Sequence, residues 1–149
     1  MAPITVVLAD QDAARRAACR RLLRSQKGIR VVRETPSALE AIALTARARP
    51  RILLLSLGVS RGNGAAVLSA LLRRSPRTKV ILLTTRTTEA RILDALSRGA
   101  RGYLEQGMLR TFLPKAVRAV DAGEVWVPRK MVGRILDRLA RLTAGVRLA

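Results

Sequence analysis

A doubly wound α/β domain built on a five-stranded parallel sheet is what this chain's residue pattern predicts, and three observations carry that reading. Apolar runs of four to six residues recur along the chain. Amphipathic stretches of helical length separate them. Several of the runs are apolar on consecutive residues rather than on alternate ones, as strands covered on both faces are. The length, 149 residues, suits a single domain, and a content of 49% hydrophobic and 26% charged residues is that of a globular chain.

Strands are expected at residues 4–9, 29–33, 52–55, 80–83 and 102–104. Helices are expected at 12–25, 38–49, 65–74, 89–98 and 112–122. Lys27-Gly28 closes the first helix. Ser37-Ala-Leu-Glu40 is a capping box, its hydroxyl and carboxylate each satisfying a free backbone donor, and Pro50 lies just past that helix's end. Arg61-Gly62-Asn63-Gly64 makes a tight turn into the third helix. Pro114 is compatible with a helix only if that helix begins near Phe112, because a proline deeper than the first turn removes a hydrogen bond and clashes.

Residues 1–127 therefore read as one unit, with 128–149 as a C-terminal helix or linker that Pro128 can open at its first position. In that segment Val132, Ile135, Leu139, Leu142 and Val146 repeat at heptad spacing, flanked by Arg134, Arg138 and Arg141. Such a stripe packs either on its own domain or on a second copy.

Composition excludes a good deal of chemistry. Cys19 is the lone cysteine and histidine is absent, so intramolecular disulfides, thiolate zinc sites and His-dependent nucleophilic catalysis lack their parts. No enzyme activity, cofactor or metal is expected. No apolar run approaches the roughly 18 residues a bilayer span needs, and the N-terminus has no leader pattern, so a cytoplasmic chain without membrane contact is expected. The formal net charge is +19, which draws polyanions. On the first helix Arg16, Arg20 and Arg24 are spaced by four, with Lys27 beyond. Like charges at that spacing repel, so the stripe is either a polyanion surface or a solvated face bearing a small cost.

In a doubly wound sheet the ligand crevice lies at the carboxyl ends of the strands, where strand order reverses. Those ends are Ala9-Asp10-Gln11-Asp12, Leu55-Ser56-Leu57, Leu83-Thr84-Thr85 and Leu104-Glu105-Gln106. Here the sequence resembles the receiver domain of bacterial response regulators, in the NarL/FixJ (LuxR-type) branch, from Ile4 to Val127. The segments VVLADQD, RILLLSLGVSRGNG, SPRTKVILLTT, ALSRGARGYLEQ and AVRAVDAGEVWV carry the likeness.

The resemblance implies a flavodoxin-like, CheY-like fold of five strands and five helices. It also implies an aspartate phosphoacceptor on the third strand, Mg²⁺ held by nearby acids, and control of a DNA-binding helix-turn-helix. This chain departs from that pattern. Ser56 stands at the phosphoacceptor position, Asp10 and Gln11 at the paired acids with Asp12 next, and Gln106 at the lysine after the fifth strand; Val59-Ser60 replaces a Met-Pro.

Thr84 and Tyr103 stand at the family's signalling hydroxyl and switch aromatic, although Tyr103, one of three aromatics, equally suits a half-buried packing role. The expected site is a neutral pocket in which Ser56, Gln11 and Gln106 hydrogen-bond internally, without Mg²⁺-dependent phosphorylation. The expected role is a phosphorylation-independent receiver of a DNA-binding transcriptional regulator. It would work as a homodimer, with a sensor kinase or other regulator as a possible partner and DNA contacted through a domain outside this chain. A stand-alone interaction adaptor and a nucleic-acid-binding module are the alternatives.

Overall fold

The computed structural model describes residues 2–56, 64–84 and 88–144. Strands β1 (Ile4–Ala9), β2 (Ile29–Thr35), β3 (Ile52–Ser56), β4 (Lys79–Thr84) and β5 (Gly102–Glu105) alternate with helices α1 (Ala13–Arg24), α2 (Ala38–Ala48), α3 (Gly64–Arg74), α4 (Glu89–Ser97) and α5 (Leu109–Asp121); α6 (Val132–Ala144) follows. All strand pairs are parallel and the order is β2-β1-β3-β4-β5. The expected fold class is the observed one.

The consecutive apolar residues divide between two cores because successive side chains on a strand point to opposite faces. Val6, Leu8, Ile52, Leu54, Ile81 and Leu83 pack against α1 and α5 through Cys19, Leu23, Leu113 and Val117. Val7, Ala9, Leu53, Leu55, Val80 and Leu82 pack on the other face against α2, α3 and α4 through Ala41, Leu68, Leu71 and Ala95. Burial pushes the Cys19 thiol up to about 11.

The helix starts follow their caps. Asp12 accepts the Arg15 N–H at the start of α1, Ser37 accepts the Glu40 N–H at α2, and Thr88 accepts the Arg91 N–H at α4. Gly28 adopts φ +80° in the turn after α1, where glycine carries no Cβ penalty.

Two expectations are corrected. Helix α5 begins at Leu109, continuing a 3₁₀ turn at Gln106–Met108, and so holds Pro114 in its interior. Burial of Leu109 draws the helix back a turn, and the Arg110 carbonyl that Pro114 cannot serve belongs to an exposed residue. Pro128 precedes a 3₁₀ turn at Arg129–Met131, so α6 starts at Val132 instead of at the proline. The turn at Arg61-Gly62-Asn63, the pair Val59-Ser60 and the last heptad residue Val146 lie outside the described residues.

Helix α6 packs on its own domain. Met131 is buried against Ile92 and Tyr103, with Ile135 beside them. Arg134 pairs with Glu89 at 2.5 Å and Arg138 approaches Asp94 at 3.8 Å. Val132, Leu136 and Leu139 stay exposed.

Candidate functional site

Strand order reverses between β1, which runs on into β2, and β3, which leads outward to β4 and β5. Asp10 follows β1 and Ser56 ends β3, so the two meet in the resulting crevice, where both are buried, at 2% and 4% exposure. A carboxylate so enclosed requires a cation or several donors.

Arg15 supplies the cation. Its Nη2 donates to Asp10 Oδ1 at 2.6 Å, its Nε donates to Asp10 Oδ2, and Nη2 also reaches Ser56 Oγ at 3.4 Å. The Asp12 N–H completes the set, donating to Asp10 Oδ1 at 2.9 Å. This is the bidentate fork that guanidinium and carboxylate form best. The Arg15 guanidinium is held more firmly protonated than usual, chiefly by its hydrogen bond to Asp10.

Local helix geometry puts the side chain there. Asp12 caps α1, which makes Arg15 its third helical residue, and helical side chains lean toward the N-terminus. From the first turn of α1 that lean carries the guanidinium back over the end of β1. The Asp12 carboxylate is exposed and caps the helix, with its Oδ2 4.0 Å from Arg15 Nη1, and the Arg15 N–H bond holds it below the usual carboxylate range.

A second ion cluster adjoins the first. Arg16 Nη1 donates to the Asp10 carbonyl at 2.6 Å and its Nε to Glu34 at 3.2 Å, while Arg20 Nη1 reaches both Glu34 oxygens at 2.7 and 2.8 Å. Burial works to raise the Glu34 carboxyl, but Arg20 and Arg16 outweigh it and hold it below its ordinary value. The helix-one stripe is thus half neutralised from within the chain. Arg24 and Lys27, farther along, are exposed.

The neutral pocket expected from the sequence is corrected on this evidence. Gln11 and Gln106 are exposed, and neither is among the hydrogen-bond partners of Ser56, whose polar neighbour is Arg15. Among the described residues the crevice holds one buried anion, Asp10, held by Arg15. Arg15 was legible only as part of the basic helix. The unread signal was its position, since a cation in a helix's first turn opposes the helix dipole unless something anionic holds it.

The residues present do not fit Mg²⁺, which takes several hard oxygen ligands. Both Asp10 oxygens accept from Arg15, the Asp12 carboxylate is a helix cap, and no cluster of three or more metal-ligating side chains occurs among the described residues.

Thr84 and Tyr103 lie at the other side of the crevice, at the ends of β4 and on β5. Both are buried. The Tyr103 hydroxyl donates to Glu105 Oε1 at 2.9 Å, and its ring packs with Ile92 and Met131. Burial raises the phenol's pKa, a hydrogen bond with Thr84 opposes that, and the Glu105 bond adds to it.

The response regulator receiver domain profile matches residues 6–118. The chain is 30% identical over 136 residues to the DNA-binding transcriptional activator DevR/DosR of Mycobacterium tuberculosis, covering 91% of this chain and 63% of that protein. It is 30% identical over 123 residues to the nitrate/nitrite response regulator protein NarL of Escherichia coli, covering 83% of this chain and 57% of that protein. It thus spans less than two thirds of these relatives. The crystal structure of a LuxR-family two-component response regulator from Aurantimonas sp. superimposes with a TM-score of 0.81 at 23% identity, covering 93% of this chain and 99% of that one. By fold, by profile and by these relatives, the chain belongs to the response regulator receiver domain family.

Proposed function

We propose that this chain is a non-enzymatic, phosphorylation-independent receiver of a cytoplasmic DNA-binding transcriptional regulator, in which a resident guanidinium takes the place of the exchangeable cation. The observation that carries the reading is the Arg15–Asp10 fork with Ser56 beside it. Phosphoryl transfer to a receiver needs a carboxylate nucleophile and a metal to neutralise the incoming charge. Here the nucleophile position holds a hydroxyl without an adjacent base, and the acid that would bind metal is saturated. The similarity to transcriptional regulators supports the regulatory role; DNA would be contacted through a domain outside this chain.

Signalling by such a receiver runs through association. Homodimerisation through the outward face of α6 is supported by exposed Val132, Leu136 and Leu139, which recur at spacings of four and three. Tyr103, wedged between the crevice and Met131, links that helix to the site.

The test is incubation with Mg²⁺ and acetyl phosphate or beryllofluoride, read by intact mass and by amide chemical shifts. No adduct and no saturable shift at millimolar Mg²⁺ is the expected result. A phosphoryl adduct on Ser56, Asp10 or Asp12 would overturn the reading. Sedimentation velocity of the wild type and of Leu136→Asp checks the dimer, which should be lost in the variant.

A further inference from the structure

We propose that the pole of the sheet opposite the Asp10 crevice binds nucleic-acid backbone without regard to base sequence. A parallel sheet sends the C-terminal ends of its flanking helices, and the starts of its strands, to one end of the molecule. At that end α1 finishes on Arg24 with Lys27 in the turn, and α2 finishes on Arg47 with Arg49 as its C-cap. Helix α3 finishes on Arg73 and Arg74, Arg77 lies in the next turn, and Arg101 leads into β5. All of these side chains are exposed, and none has a carboxylate partner among the described residues.

The acids there do little to offset this charge. Asp121 is already held by Arg51 at 2.7 Å, which leaves Glu124. By contrast Asp10, Asp12, Glu40 and Glu89 all sit at the crevice end, and Arg16 and Arg20 are absorbed by Glu34. Among the described residues, eight exposed cations without a carboxylate partner therefore gather at one pole.

Helix dipoles favour cations in a last turn, which covers Arg24, Arg47, Arg73 and Arg74. They do not account for Lys27, Arg77 and Arg101, which lie beyond the helices. Arg49, the C-cap of α2, is within the dipole's reach but adopts φ 45° in the left-handed region where glycine or asparagine is favoured. A cation is kept there against backbone preference.

The segments adjoin. The Lys79 N–H donates to the Arg51 carbonyl at 3.0 Å, the Arg101 N–H to Val80 at 2.8 Å and the Ile4 N–H to Gly28 at 2.7 Å. Five strands about 4.8 Å apart make a front roughly 20 Å wide, along which duplex DNA carries on the order of ten phosphate charges. Guanidiniums match phosphate oxygens bidentately. Insertion into a lipid surface needs a run of exposed apolar side chains, and of the large ones exposed among the described residues only Val125 and Leu139 line the cavity beside Arg101.

The experiment uses the whole 149-residue chain and a fluorescein-labelled random-sequence 20-base-pair duplex, read by anisotropy at several KCl concentrations. Affinity should fall steeply with salt. The charge reversal R47E/R49E, and separately R73E/R74E, should weaken binding at least tenfold and flatten the salt slope. The equal reversal R91E/R110E, on exposed arginines at the other pole, should change it less than threefold. Circular dichroism verifies folding, and R47Q/R49Q, expected to weaken binding at least threefold, replaces any reversal that unfolds. Equal losses at both poles, no binding at low salt, or binding to anionic phosphatidylglycerol vesicles but not to DNA would each overturn the proposal.

Discussion

The Arg15 guanidinium makes a two-point hydrogen-bonded fork with the buried Asp10 carboxylate, each residue satisfying a charge that the other would leave stranded. One comes from the end of β1 and the other from the first turn of α1, so the contact also fixes where the helix leaves the sheet. Removing one partner of a buried pair costs far more than removing both, because the survivor remains charged and dry.

Arg15→Ala should therefore destabilise the chain by roughly 3–5 kcal/mol, and Asp10→Ala by a similar amount. The double substitution should cost clearly less than the two single losses combined, a positive coupling expected of residues in direct contact. Urea unfolding at pH 7 of the four proteins in this cycle measures it, and simple additivity would show that the fork is not a stabilising unit.

Restoring an acid at the phosphoacceptor position alone should not restore metal binding. With Ser56→Asp the new carboxylate enters within reach of Arg15, whose Nη2 already approaches Ser56 Oγ at 3.4 Å, and the guanidinium will pair with it. Ser56→Asp combined with Arg15→Ala leaves two neighbouring carboxylates without a resident cation, the oxygen-rich arrangement Mg²⁺ selects. Titration calorimetry should show saturable Mg²⁺ uptake in the millimolar range for the double variant and none for the single one.

How far this site could be read from residues alone depended on which property set each position. Asp10 and Ser56 were legible because strand ends are fixed by apolar patterning and the crevice by strand order. Gln106 follows β5, but its exposure depends on the 3₁₀ turn that carries it outward, and no local pattern announces that turn. Arg15 was hidden among similar neighbours, since a helix dense in arginine masks the one that points inward. The start of α5 is not legible locally, because Pro114 argues for a later start whereas burial of Leu109, a tertiary effect, prevails.

The Glu34 cluster gives the fold a pH-dependent term of definite sign. Its carboxyl is held below its ordinary value near 4.5 by Arg20 and Arg16 acting against burial. A carboxyl lowered on folding contributes stability that is present above its unfolded pKa and lost as pH falls through the folded one. Because the three side chains are partly exposed, the contribution is about 1 kcal/mol. Glu34→Gln should lower stability by that amount at pH 7 and by little near pH 3. Thermal melts of the two proteins across pH 3–7 should converge as pH falls.

Buried Cys19 provides a probe of opening. Its thiol pKa, pushed up to about 11 by burial, leaves almost no thiolate at neutral pH. Iodoacetamide labelling followed by mass should be slow in buffer at pH 7.5 and complete within minutes in concentrated urea. Labelling at the same rate in both would mean that α1 does not hold its core contacts.

The docking of α6 rests on few apolar contacts, and its ion pairs are too exposed to hold it. The Arg134 and Glu89 side chains are 66% and 36% exposed, so Arg134→Ala should cost well under 1 kcal/mol. Ile135, by contrast, packs on the cluster of Ile92, Tyr103 and Met131. Placing a carboxylate there by Ile135→Asp buries an unpaired charge and should release the helix while leaving the two main cores intact. Hydrogen exchange should then show loss of protection across residues 132–144 with β1, β3 and β4 unchanged, since local opening follows local contact density. If α6 kept its protection in the Ile135→Asp variant, the helix would be held by something other than this apolar patch, and Tyr103 could not act through it.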